Sequence, residues 1–528
     1  MAALQGIQFP VDPKTNDRST LVAGVNALAA SVSKVDPALA AELKAMDPKK
    51  FRFKYNSYYV KMVELSCASK KNALQIAHDG LDYLENNFQF YADGKAMTLK
   101  QAMTSIKGSF DTAIVQGKKK EPASRLSVPY ENGSLTGPAL RGQLDKWARA
   151  GTIEPSAAEA IKQVAENEGW LDLRDKYFVL LGAGSAMGPL PLLLACGANI
   201  IAVDLNRPAI WERIIKLASN SPGKLYIPVK SGSNPKTDEE ICAVAGCNLF
   251  TDTPQILNWL VTVEPGKQLV VGSYAYLDGA KHVQVSLAMD AIIGGLIEKR
   301  KDIIVASLCT PTDCHVISKE AYGASLNQYN KVGVFEKLMN AASGGKYCIK
   351  NARRPIKGEA GEDMYICDSI ARPQGPNYTL AKRIQIWRAM IAREEDGCGV
   401  SINVAPATAT QSVVHEKTFA WVYSGLPYFK PVEIFQQDTS NAVMGALLIH
   451  DVQNKNSVAY PQKVPLKHPL DLITSGAFHG GMWRMSCKMD SIGEAAVLLH
   501  WFTVLKPAVV LFLILFMVGV YLFGAKYL

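Results

Sequence analysis

Apolar and polar positions change rhythm twice along this chain. From about residue 20 to 115 apolar residues recur every three or four positions, as in LVAGVNALAASVSKV, PALAAELKAM and NALQIAHDGLDYLENNFQFY, which predicts helices. Between Gly117 and Pro138 the pattern gives way to lysine, proline, glycine and serine, the composition of a linker or long loop. Helical spacing resumes in ALRGQLDKWARAG and PSAAEAIKQVAENEG.

After Trp170 short continuous apolar runs take over: YFVLL, NIIAVDL, KLYIPV, NLFTD, KQLVVGS and DIIVASL, with helical patterns such as AIWERIIKLAS and VQVSLAMDAIIGGLIEKR between them. Strands without a polar face, alternating with helices, predict a parallel sheet covered on both sides. Beyond residue 345 the rhythm is less regular, with helical stretches (TLAKRIQIWRAMIAR, SNAVMGALLIHDV, SIGEAAVLLHWF) and proline-rich connections. The pattern divides the chain into a helical N-terminal region (1–165, linker near 117–138), a doubly wound, Rossmann-like α/β domain (166–345) and an α+β closing region (346–504). Residues 505–528 form a C-terminal anchor.

That last assignment rests on PAVVLFLILFMVGVYLFGA, Pro507 to Ala525, which carries no charge between Lys506 and Lys526. As a helix it would span about 28 Å, near the hydrocarbon thickness of a bilayer. The N-terminus has neither the basic nor the apolar stretch of a secretory signal. The expectation is a single-pass, tail-anchored protein with its bulk in the cytosol. The sequons Asn132-Gly133-Ser134 and Asn377-Tyr378-Thr379 would then stay unmodified.

Composition changes this picture little. The net charge of +9 over 528 residues is dispersed in short basic runs, which argues against a nucleic-acid groove. Ten cysteines without a CxxC pair read as reduced, buried thiols. Cys314-His315 lacks the second ligand pair that a zinc site needs. Neither a serine-hydrolase elbow nor a GxxxxGK[ST] loop is present.

The candidate chemistry starts at Gly182-Ala183-Gly184-Ser185-Ala186-Met187-Gly188, between a predicted strand and a predicted helix. Gly182 suits a tight turn and Gly184 a close backbone approach to a pyrophosphate, with Ser185 and Ala186 beside it. The third glycine, Gly188, falls one place later than in G-x-G-x-x-G. Asp204, at the end of the next predicted strand, is placed to accept from an adenosine ribose, and Arg207 to meet a 2′-phosphate. NAD and NADP both remain open.

GAGSAMGPLPLLLACGANIIAVDLNRP resembles the cofactor segment of NAD(P)-binding Rossmann oxidoreductases, nearest to the nucleotide domains of alanine dehydrogenases and transhydrogenases. The resemblance covers about thirty residues and implies nicotinamide binding without a substrate. A methyltransferase using S-adenosylmethionine also places glycines and an acid in these positions. It typically carries an acid two residues before the first glycine, where this chain has Leu180.

Ligands of open parallel sheets sit beyond the carboxyl ends of the strands. There GSYAYLDGAKH offers Tyr276, Lys281 and His282 as catalytic candidates, a tyrosine giving a proton to a carbonyl beside an ammonium. Short-chain reductases use that logic with tyrosine and lysine four apart on one helical face; Tyr276 and Lys281 are five apart. A second strand end, SLCTPTDCHV, offers Thr310, Thr312, Asp313 and His315, and a distant stretch offers His468, Asp471, His479 and Arg484. The expected function is hydride transfer by a membrane-anchored NAD(P)-dependent oxidoreductase, on a lipid-borne carbonyl or alcohol. The alternatives are the methyltransferase and a non-catalytic, tail-anchored nucleotide-binding scaffold or sensor.

Overall fold

The computed structural model describes residues 4–410 and 417–504. A seven-stranded sheet runs through it, formed by β1 (Asp111–Gln116), β2 (Tyr177–Leu181), β3 (Asn199–Val203), β4 (Lys224–Val229), β5 (Leu269–Ser273), β6 (Ile303–Cys309) and β7 (Gly399–Val404). Their spatial order is β7-β6-β5-β2-β3-β4-β1. β2 to β7 are parallel, and β1 closes one edge antiparallel to β4. From β2 the chain lays strands outward to β4, returns to the centre, and lays β5 to β7 the other way. The order reverses between β2 and β5. With the edge strand set aside, this is the order of doubly wound dinucleotide-binding sheets.

The absence of a polar face along these strands follows from their position. Val179 and Leu181 of β2 pack into one core with the helices Thr20–Val32, Lys70–Asn87, Ala280–Lys299 and Pro376–Glu394. Phe178 and Leu180 point the opposite way, into a core with Pro155–Glu166, Pro208–Ser219 and Gln437–Gln453. Both faces of the pleat are therefore dry. The helical N-terminal stretch is part of this packing. An added Cβ on Gly80 would lie 2.5 Å from the ring of Trp387, so the two helices cross where only a glycine fits.

Several segments differ from the pattern reading. NLFTD is a turn, not a strand: Asn248 N donates to the Asp252 carboxylate (2.8 Å) and Phe250 N to the Asn248 side chain (2.9 Å). These short polar side chains supply the partners a strand ladder would otherwise give. β1 lies within the stretch read as mostly helical, and β7 comes from the closing region. The expected linker holds a hairpin, Val128–Tyr130 with Gly133–Leu135, tied down by Tyr130 Oη donating to Glu433 (2.9 Å). Cys348 and Cys487 form a disulfide, which corrects the expectation of reduced thiols at that pair; the other eight cysteines are free and buried.

The expected membrane anchor is corrected too. No helix among the described residues is long and apolar enough to cross a membrane. The last described helix, Gly493–Val504, has twelve residues and carries Glu494 and His500. That is about 18 Å of helix against a hydrocarbon layer of about 30 Å. Residues 507–525, on which the anchor was placed, lie outside the described residues. Among the described residues nothing supports the tail-anchored placement or the lipid substrate that it motivated.

Candidate active site

The carboxyl ends of five parallel strands open into one cavity of about 590 Å³, beside the point where the strand order reverses. Gly182 follows β2, Asp204 follows β3, Tyr274 follows β5, Thr310 follows β6 and Ala405 follows β7; each lines it.

At one end stands the glycine turn. Gly182 has φ of 92°, and a Cβ there would meet Ala275 N at 2.5 Å, so the chain turns where other residues would be both strained and blocked. Gly184 N donates to the Asp204 carboxylate at 2.7 Å, and Leu205 N donates to its other oxygen at 2.8 Å. An acid at the end of β3 thus fixes the turn after β2. A Cβ on Gly184 would lie 2.6 Å from Arg213 Nη2 and 3.0 Å from Asp204 Oδ2, so no side chain fits there beside this cation and this acid unless they shift. Ser185 and Ala186 also line the cavity; Gly188 does not. Its N–H closes the loop on Ser185 O (3.1 Å), and the next helix, Leu190–Ala195, starts late and has only six residues. Arg207 is exposed, outside the cavity lining, at the N-cap of Pro208–Ser219. The arginine that lines the cavity is Arg213 on that helix, whose Nη2 donates to Gly184 O at 2.9 Å.

Of the three predicted catalytic residues, Tyr276 and His282 come together and Lys281 stands apart. Tyr276 lines the cavity, but its hydroxyl donates to Asp278 (2.9 Å), and burial together with that carboxylate pushes the phenol above its usual range. Lys281 is exposed and outside the cavity lining, so the expected ammonium beside Tyr276 is not supplied by it. His282 is buried behind two rings, 4.7 Å from the centroid of Tyr276 and 5.2 Å from that of Tyr378. Burial, then the charge of Lys382, pulls its imidazole well below the usual value.

The cavity instead takes a tyrosine and a lysine from the helix Pro376–Glu394. Tyr378, Lys382 and Gln385 follow one another at intervals of four and three, share a helical face and all line the cavity. Lys382 Nζ donates to Leu308 O (3.1 Å) and to the Gln385 side chain (3.2 Å). Among the described residues no carboxylate pairs with it, and burial lowers its affinity for a proton. Burial raises the Tyr378 phenol above its usual range, and the influence of Thr310 acts the other way. Thr310 in turn shares a hydrogen bond with Thr312 (2.8 Å), which donates to Gln374 (2.8 Å).

The sequence held one signal for this pair: YTLAK spaces tyrosine and lysine by four within a helical run, although the run also carries three arginines and does not mark its lysine as buried. Of the other candidates, Thr310 lines the cavity, Thr312 stands behind it and Asp313 pairs with Arg383. His315 Nε2 bonds the Thr310 carbonyl oxygen (2.7 Å). His468, Asp471, His479 and Arg484 lie outside the cavity lining. Of these, His468 holds Ser66 O (3.0 Å), while His479 and Arg484 both hold Glu154.

No family model matches the chain, and no curated protein matches it. Among solved structures it is similar to a thiolation-reductase di-domain from an archaeal non-ribosomal peptide synthetase. That similarity has 10% identity and a TM-score of 0.26, and covers 81% of this chain and 71% of that one.

Proposed function

We propose that this protein is an NAD(P)-dependent oxidoreductase interconverting a carbonyl and an alcohol, with Tyr378 as the residue that exchanges a proton with the substrate oxygen. One observation carries the reading: Tyr378, Lys382 and Thr310 line the same cavity as Gly184 and Asp204. The tyrosine–lysine spacing of four on one helical face is the spacing that short-chain reductases use.

The glycine end fits an adenosine ribose. Asp204 keeps lone pairs beyond its two backbone bonds, Gly184 leaves room for the backbone to approach, and Arg213 stands beside both. When bound, a nicotinamide supplies or takes up hydride. Tyr378, kept protonated by burial, gives its proton to the oxygen as the carbonyl is reduced and recovers it in the reverse direction. Lys382 is anchored by two of its N–H groups and has a third for the cavity.

Calorimetry on the full chain with NADH, NADPH and S-adenosylmethionine tests the reading. Micromolar binding of a nicotinamide dinucleotide, lost in Gly184→Asp, is the expected result. Binding of S-adenosylmethionine alone would establish a methyltransferase instead. No binding of any of the three leaves a scaffold.

A further inference from the structure

Among the described residues the charged side chains that line the cavity are Asp204, Arg213 and Lys382. Asp204 and Arg213 stand together at the glycine turn, where a Cβ on Gly184 would meet both, at 3.0 and 2.6 Å. Lys382 has no such neighbour. Its Nζ donates to Leu308 O near the end of β6, while Asp204 follows β3, and these strands are three places apart in the sheet. At about 4.8 Å per strand, roughly 14 Å separates the lysine from that acid. Asp313, whose charge reaches Lys382, is buried against Arg383 and accepts from Cys314 N (2.7 Å). Both hydrogen bonds of Lys382 go to neutral oxygens, Leu308 O (3.1 Å) and the Gln385 side chain (3.2 Å).

A cation drawn out of water costs free energy until an anion meets it. The wall of the cavity therefore holds a charge that a bound ligand can balance. The third N–H of Lys382 is not used by its two bonds. Gln385 accepts from Lys382 through its oxygen, which leaves its amide nitrogen to donate as well. An ammonium beside an amide N–H matches a carboxylate, which accepts at both oxygens and forms charge-assisted bonds. Tyr378 precedes Lys382 by one turn on the same face, about 6 Å along the helix axis. A carbonyl at the tyrosine and a carboxylate at the lysine then belong to one small molecule, and 2-oxo acids carry the two groups on neighbouring carbons. Aromatic rings supply more of the wall: Tyr276, with its centroid 6.3 Å from that of Tyr378, and Tyr423.

We infer that Lys382, with Gln385 beside it, binds the carboxylate of the substrate, and that the substrate is a 2-oxo acid with an apolar or aromatic body. This rests on the reading of the cavity as that of a carbonyl–alcohol oxidoreductase. In the reducing direction the carbonyl carbon takes a hydride from the reduced dinucleotide and the oxygen takes the proton of Tyr378, which recovers one from solvent. The carboxylate stays unchanged on Lys382, and a 2-hydroxy acid leaves with the oxidised dinucleotide.

The test compares 2-oxo-4-phenylbutanoate with its ethyl ester, which keeps the carbonyl and the ring but loses the charge. Both are titrated by calorimetry into the full chain, alone and with saturating NAD+ or NADP+, in wild type and in Lys382→Met. Wild type should bind the acid about tenfold more tightly than the ester, and Lys382→Met should bind the two alike. The melting temperature of Lys382→Met should not fall, because the variant removes a charge that the free protein leaves without a counter-ion. Equal affinity of wild type for acid and ester, or no binding of the acid, overturns the inference. So does a Lys382→Met protein that keeps the preference for the acid, whether or not it has lost dinucleotide affinity, since the lysine would then serve the dinucleotide or the packing. Should wild type bind neither dinucleotide, the oxidoreductase reading fails on that result alone. The titrations without dinucleotide still decide whether Lys382 holds a carboxylate.

Discussion

Tyr378 and Lys382 stand one turn apart on a single face of a buried helix, and that face is the wall of the cavity that also holds the glycine turn. Replacing Tyr378 with Phe removes one hydroxyl from a site otherwise unchanged. The expected loss in kcat is about 100- to 10,000-fold, with dinucleotide affinity preserved. Lys281→Ala, which alters an exposed side chain outside the cavity lining, should leave turnover as it was. Equal losses in the two variants would mean that the proton route runs through the loop after β5 instead.

Gly184→Asp places new atoms between Arg213 and Asp204, where even a Cβ is 2.6 Å from the guanidinium. Dinucleotide affinity should fall at least a hundredfold in calorimetry. Because the site is open to the cavity rather than packed in a core, the melting temperature should move little. A variant that binds as tightly as wild type would put the nucleotide somewhere else.

Glu154 joins the N-terminal half of the chain to its end. Arg484 grips it at 2.8 and 3.0 Å, and His479 bonds it at 3.0 Å. Burial raises its pKa, but the bonds from His479 and Arg484 outweigh that and bring it down to about 2. A carboxylate with a depressed pKa stabilises the fold above its ordinary value of 4.5 and ceases to do so as pH falls towards 2. Glu154→Gln should therefore cost about 3 kcal/mol at neutral pH by urea unfolding. The gap between variant and wild type should narrow as pH drops below 4.5. A gap that stays constant down to pH 3 would show that packing, not charge, is responsible.

Glu85 shows the opposite sign. Burial and the charge of Asp290 push its pKa up to about 7, against the pull of Arg388. Its ionised form is the disfavoured one in the fold, so stability should decline as pH rises from about 4.5 to about 7. Glu85→Gln should flatten that decline and raise the melting temperature at pH 8. A melting temperature lower than that of wild type at pH 8 would mean that Arg388 depends on both acids.

Much of this fold was legible in the chain because fully buried strands leave unbroken apolar runs, as at YFVLL and NIIAV. β7 was harder to see: GVSINV alternates Ser401 and Asn403 with apolar residues, and both polar side chains are satisfied by Asp451, far along the sequence. The glycine turn was visible because backbone geometry demands particular residues at particular spacings. The helix Pro376–Glu394 was visible as TLAKRIQIWRAMIAR, but its place at the cavity was not, because nothing local distinguishes a lysine that will be buried from one on a helix surface. Tyr276 and Lys281 were singled out for being near a strand end. In the proposed function the same chemical requirement falls to Tyr378 and Lys382, on an element that reaches the cavity only through the fold.

The crossing of Gly80 and Trp387 has a consequence for how the molecule is made. The helices of the N-terminal stretch pack on a partner that is synthesised far later, so during translation their apolar faces wait uncovered. The sheet itself lacks β7 until the chain has passed Val404. Long-range closure of this kind is slow and leaves partly built intermediates open to wrong partners. The protein is therefore expected to depend on chaperones during its own synthesis, and a shortened gene ending before the helix Pro376–Glu394 should yield inclusion bodies rather than a smaller domain.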